Sequence, residues 1–136
     1  MASEIQHTLS ERGWILIDRE YTASEIHKAI FDMAPTKAPG IDGLLAIFYQ
    51  KYWDTVGDSV TKACLSCLND GESFEPVNKT LITLILKSQQ VEYMSNFHPI
   101  SLCNVTYKIV AKTLANRLYG VMGEVISDNQ SAFIPG

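Results

Sequence analysis

Three observations predict an α+β fold, helix-rich with a short β-strand or hairpin. Apolar residues recur at helical spacing in three stretches, 22–33, 44–68 and 104–125. One short run, Leu81 to Leu86 (LITLIL), is β-branched, bounded by polar residues and broken by a single Thr, which predicts a buried strand. Between the helical patterns, Pro35 to Gly43 (PTKAPGIDG) carries two prolines and two glycines, which excludes regular structure there.

At 136 residues the chain is one domain or part of one, long enough to bury a core. A hydrophobic content of 46% against 19% charged residues fits a folded chain and excludes a disordered one. No apolar run approaches the ~20 residues that span a bilayer, so no membrane partner is expected. The start, MASEIQHTLSERG, lacks the apolar centre of a secretory signal, and the expected location is intracellular.

Residues 1–21 are weakly patterned and read as a weakly ordered N-terminal arm, with Trp14 to Ile17 as a short strand or extended segment. Thr22-Ala23-Ser24-Glu25 fits a capping box, and Ile26, Ala29, Ile30 and Met33 follow on one helical face. Pro35 ends that helix, because the residue before proline avoids the α region. Leu44 to Trp53 and Val56 to Leu68 continue as helix, with Gly57 marking a break between them and Asn69-Asp70-Gly71 as the stop. Lys87 ends the LITLIL strand. Phe97 to Leu102 starts extended because His98 precedes Pro99. Asn104 is the expected N-cap of a last helix, striped by Val105, Ile109, Leu114, Leu118, Val121, Met122 and Val125. Lys108, Lys112 and Asn116, four residues apart, line a different face of it. The chain stops on Pro135-Gly136 directly after an apolar segment, which reads as truncation.

Net charge is −4, which argues mildly against a nucleic-acid binder, but the charge is unevenly distributed. Residues 1–75 carry twelve acids and six Lys/Arg, whereas residues 76–136 carry three acids and five Lys/Arg. The window from Lys79 to Arg117 reads as a surface for a phosphate backbone or a nucleotide. Lys87, where a strand leaves the core, has either a phosphate to reach or only solvent. The Lys108/Lys112 face either tracks a nucleic-acid backbone or is an ordinary solvated helix face. Gly40 and Gly43 let backbone N–H groups approach a ligand, although KAPGIDG is no phosphate loop: it lacks the GxxxxGK pattern and follows no strand.

Other chemistries fare worse. Cys64 and Cys67 form a CxxC inside a helical pattern, with no second Cys/His pair to complete four zinc ligands, so they read as small core-facing residues. Three cysteines in an intracellular chain do not build a disulfide framework. His98 and Ser101 suggest a base and a nucleophile but lack a third, orienting member. Two-metal phosphoryl transfer needs converging carboxylates, and the basic half has only Glu92, Glu124 and Asp128.

Taken in order, KAPGIDG with FYQKYWDTVGDSV, NKTLITLILK, NFHPISLCNVTYKIVAKTLANRL and ISDNQSAFIPG closely resemble the start of the reverse transcriptase domain of LINE-type (non-LTR) retrotransposons, with plant-type elements nearest. The resemblance runs from about Thr22 to Gly136. It implies the fingers portion of a right-hand polymerase, with the start of the palm at most, so residues 22–136 form an incomplete domain. It also implies RNA template and DNA primer as partners, a deoxynucleotide substrate, and Mg²⁺ in the complete enzyme. The lysine matching Lys87 contacts the incoming nucleotide's phosphates in this family. The loop matching Lys37 to Gly43, with Lys37, Gly40 and Gly43, lies near template RNA. Gln130 and Phe133 match the segment near the templating position. Two residues depart from the pattern. His98 stands where the family usually has a second phosphate-binding arginine, and an imidazole offers no guanidinium fork. Leu86 stands where proline is usual. The family's catalytic aspartates match nothing before Gly136, so the resemblance implies no polymerase activity for this chain alone.

Overall fold

In the computed structural model, residues 9–75, 77–87 and 93–126 are described. They form five α-helices and one two-stranded sheet: α1 (Glu11–Asp18), α2 (Ala23–Phe31), α3 (Ala46–Lys51), α4 (Trp53–Asn69), β1 (Thr80–Leu86), β2 (Phe97–Cys103) and α5 (Val105–Val125). The fold is α+β, as the sequence predicts.

The capping box forms as expected. Thr22 N–H donates to Glu25 Oε2 at 3.0 Å, and Glu25 N–H donates to Thr22 Oγ1 at 3.4 Å. Two of the free donors at the start of α2 are thereby satisfied. Downstream, Ile26, Ala29 and Ile30 are fully buried against Ala46 and Tyr49 of α3, Cys64 of α4 and Val105, Ile109 and Val110 of α5. Gln50 Nε2 donates to the carbonyls of Ile30 and Met33, at 2.9 and 3.0 Å, which joins α3 to the end of α2. The helix break falls at Tyr52 rather than at Gly57, which is buried inside α4.

On α5 the buried row is Val105, Ile109, Thr113, Arg117 and Val121, spaced strictly by four, with Val110 beside it. Leu114 and Leu118, expected in the stripe, are exposed. The row is completed by two polar residues that satisfy themselves. Thr113 Oγ1 donates back to the Ile109 carbonyl at 2.8 Å. Arg117 is only 4% exposed. Its guanidinium donates to both Glu25 carboxylate oxygens at 3.1 Å and to the carbonyls of Ile17, Arg19 and Glu20, and it lies 3.5 Å over the Tyr21 ring.

Arg117 explains two departures from expectation. It does not contribute to a basic surface. It also ties down the segment before Thr22, where Trp14 to Ile17 is helix and not strand. Ser10 caps α1, its hydroxyl accepting from Gly13 N–H at 3.1 Å. Ser10 in turn donates from its N–H and its hydroxyl to the Glu124 carboxylate at 2.7 and 2.9 Å. Asn69 clasps the Tyr21 backbone with both ends of its amide, at 2.8 and 3.1 Å.

β1 and β2 pair antiparallel from Thr80↔Cys103 to Leu86↔Phe97. The hairpin is as expected, but the burial is not: six of the seven β1 residues are exposed. LITLIL was expected to be a core strand because it is nearly all apolar. Instead β1 pairs only with β2 among the described residues, and Ile82 is 66% exposed.

Candidate nucleic-acid interface

Three of the expected cations meet in one place. A cleft of about 360 Å³ is lined by Lys37 and Ala38 of the 35–43 loop, Ile100, Ser101 and Leu102 of β2, and Lys108 and Lys112 of α5, with Met33 behind. Lys37 and Lys112 are 75 positions apart in the sequence, so the fold and not the local sequence brings them together. Lys108 and Lys112 share a helix face because they are four residues apart. The loop reaches that face because Lys108 Nζ donates to the Ala38 carbonyl at 2.6 Å.

Gly40 has a different role from the one its position in a loop suggests. It is buried, and a Cβ there would lie 2.6 Å from the Cys103 carbonyl carbon and nearer still to Asn104. It brings the loop onto the β2–α5 junction and offers no open backbone to a ligand. Gly43 does lie open, at φ +69° with nothing within 4 Å of where a Cβ would stand, and its N–H closes a turn onto the Gly40 carbonyl at 3.2 Å. Asn104 occupies the N-cap position of α5 but makes no side-chain cap. Its Nδ2 donates to the Val77 carbonyl at 3.5 Å, and its buried Oδ1 has no partner.

Lys87 and His98 are not in the cleft; they sit at the other end of the ribbon. The register sets Ile85 opposite His98, and strand alternation puts His98 on the same face as Ile100 and Leu102. Four residues of strand separate His98 from Leu102, about 13 Å. Lys87 follows β1 directly; its Nζ donates to the Ser95 carbonyl at 3.1 Å and its N–H to the Asn96 carbonyl at 2.8 Å. Gln130 and Phe133 lie outside the described residues.

The cleft also has an apolar part that the sequence does not predict, lined by Ile100, Leu102 and Met33. The alternation of β2 carries the signal: residues 98, 100 and 102 share a face, and two of them, Ile100 and Leu102, line the cleft with Lys108.

The metal readings can be judged on donor chemistry. Among the described residues no three His, Cys, Asp or Glu side chains converge. The described residues therefore supply no carboxylate set for Mg²⁺. Burial, with the neighbouring Cys67, pushes the Cys64 thiol up to about 12, so it stays protonated as a core residue. No helix among the described residues is long and apolar enough to cross a membrane.

No protein-family model matches the chain. Over 128 residues, 94% of its length, the chain is 34% identical to the "Transposon TX1 uncharacterized 149 kDa protein" of Xenopus laevis. It spans about 10% of that protein's length. Nearly the whole chain is thus similar to one segment of a much longer transposon-encoded protein, which supports a retrotransposon-derived origin.

Proposed function

We propose that this chain is a fragment of a LINE-type reverse transcriptase, an RNA-directed DNA polymerase, in which the fingers hold RNA and the incoming nucleotide while catalysis depends on residues it does not contain. The observation that carries the reading is the placement of the cations. Lys37, Lys108 and Lys112 surround a cleft at the base of the β1–β2 ribbon, and Lys87 and His98 mark the other end of it. Lysines spaced this way suit a flexible chain of phosphates better than a single compact anion. The ~13 Å between Leu102 and His98 corresponds to about four nucleotides at ~3.4 Å each along a duplex strand. The similarity to a transposon-encoded protein supports the same reading, as does the run of motifs from KAPGIDG to ISDNQSAFIPG.

The cleft residues bind through charge, so affinity for a single-stranded RNA oligomer should fall steeply with salt. Lys37→Glu with Lys112→Glu should weaken binding more than tenfold and flatten the plot of log affinity against log salt by about 1.4, roughly 0.7 per phosphate contact. Unchanged affinity in the double variant would sink the reading. In primer extension with Mg²⁺ and deoxynucleotides the isolated chain should incorporate nothing. Template-dependent incorporation that Lys87→Ala abolishes would contradict the inactivity.

The exposed ribbon favours a second reading, a remnant that does not fold stably by itself. Broad, non-cooperative melting with strong binding of a hydrophobic dye would support it, and a sharp transition with little dye bound would dismiss it.

A further inference from the structure

The three cleft lysines are not equivalent. The side chains of Lys37 and Lys112 are exposed and make no hydrogen bond or ion pair to another described residue. Lys108 is already engaged, its ammonium 2.6 Å from the Ala38 carbonyl, next to Lys37 in sequence. A hydrogen bond from a charged donor is among the stronger ones available to a loop. A second fixed point lies one helical turn earlier. There Gly40 abuts the Cys103–Asn104 backbone with no room for a Cβ. Asn104 and Lys108 are four residues apart, so the first turn of α5 grips the loop at Gly40 and at Ala38. Lys37 is the residue just outside that grip.

We infer that Lys108 is a positioning residue: it latches the 35–43 loop to α5 and so sets Lys37 along the cleft, while Lys37 and Lys112 are the cations that meet phosphate. This rests on the cleft being the nucleic-acid site, and it assigns that site a division of labour. A Lys108 that turned towards phosphate would release Ala38 and with it the placement of Lys37. Binding therefore favours leaving Lys108 where it is.

Two measurements test the latch. In the free chain, hydrogen exchange at the Lys37 and Gly43 amides, which close turns onto Ala34 and Gly40, should speed up about tenfold in Lys108→Met. Lys108→Arg keeps a donor and should restore most of the protection. Unchanged exchange in Lys108→Met would overturn the latch. The second measurement is affinity for a single-stranded RNA oligomer. Adding Lys108→Met to Lys37→Met should cost no more than Lys37→Met alone, whereas independent, additive losses would make Lys108 a direct contact and overturn the positioning role. Gly40→Ala displaces the loop without touching any charge and should reproduce the Lys37→Met loss. A wild-type chain that binds no RNA would defeat the functional reading, and the exchange measurement, which uses no ligand, would still decide the latch.

Discussion

The helical core and the β-ribbon are built from the same kinds of residue and end in opposite environments. Ile26, Ile30 and Ile109 are fully buried, whereas Ile82, Ile85 and Leu86 are about half exposed or more. Composition does not separate the two groups; connectivity does. α2, α4 and α5 present apolar rows that close on one another. β1 has one partner strand among the described residues, and a two-stranded ribbon cannot bury both of its faces. Among the described residues the ribbon also leaves two strand edges unpaired, and such edges tend to pair with other chains. Lys79 and Lys87 bracket LITLIL, placing a charge at each end of that hazard.

The comparison is sharpest for matched isoleucines. Ile109→Ala removes a fully buried side chain from the contact of α2 with α5 and should cost about 3–4 kcal/mol in urea unfolding. Ile82→Ala should cost about 0.5 kcal/mol, because Ile82 is 66% exposed. Equal losses would mean that the ribbon is buried in solution, by self-association or by packing onto the helices.

This contrast also marks what the sequence could convey. The capping box and the α2 row were legible because each rests on residues within a few positions of one another; the hairpin pairs residues 11 to 23 positions apart, and only its two extended segments were local signals. The burial of LITLIL was not, because period and composition say a strand is apolar and nothing about whether a second layer covers it. Arg117 was misread for a related reason. Its charge suggests a surface residue, and only the return of residues 17–25 across α5 supplies the carbonyls and carboxylate that let it be buried. The cleft was half legible: the Lys108/Lys112 spacing is local, but the approach of Lys37 depends on Gly40 fitting against Asn104.

Arg117 extends the core to the first helix, and its loss is the next largest effect. Arg117→Met removes two of the hydrogen bonds to the Glu25 carboxylate, which keeps those from Arg19 and Thr22, and takes the guanidinium donor from three backbone carbonyls; it should cost about 3 kcal/mol. Limited proteolysis before Thr22 should accelerate with it. The same network gives a pH dependence. Burial raises the pKa of Glu25, but hydrogen bonds from Arg117 and Thr22 and the Arg117 charge outweigh it, and the net shift is downward from 4.5. A carboxylate with a lowered folded-state pKa stabilises the fold above its unfolded value, and that contribution is lost as pH falls through the folded value. Stability should therefore decline below about pH 4.5. Glu124, lowered by its hydrogen bonds from Ser10, acts in the same direction. In Glu25→Gln the decline should be shallower. An identical acid limb would show that Glu25 is not coupled to folding.

A smaller effect than the loss of Arg117 repeats the contrast between buried and open positions within helices, at two glycines. A Cβ on Gly57 would meet the Trp53 indole at 2.7 Å, one turn back on α4. On Gly123, in α5, it would meet nothing within 4 Å. Both positions are helical, so alanine gains about 0.5–1 kcal/mol of intrinsic helix preference at each. At Gly123 nothing opposes that gain, and Gly123→Ala should raise stability by that amount, read as a higher urea midpoint at unchanged slope. At Gly57 the indole has to move, and it is the ring against which His27 and Phe31 pack edge-on, at centroid distances of 5.5 and 6.0 Å. Overpacking of that kind exceeds the propensity gain, so Gly57→Ala should be net destabilising by about 1 kcal/mol. If both substitutions stabilise, Trp53 moves freely and the aromatic contacts do not fix it. Opposite signs would show that Trp53 is held in place, because only a neighbour fixed by packing can turn the same added methyl from a gain into a loss.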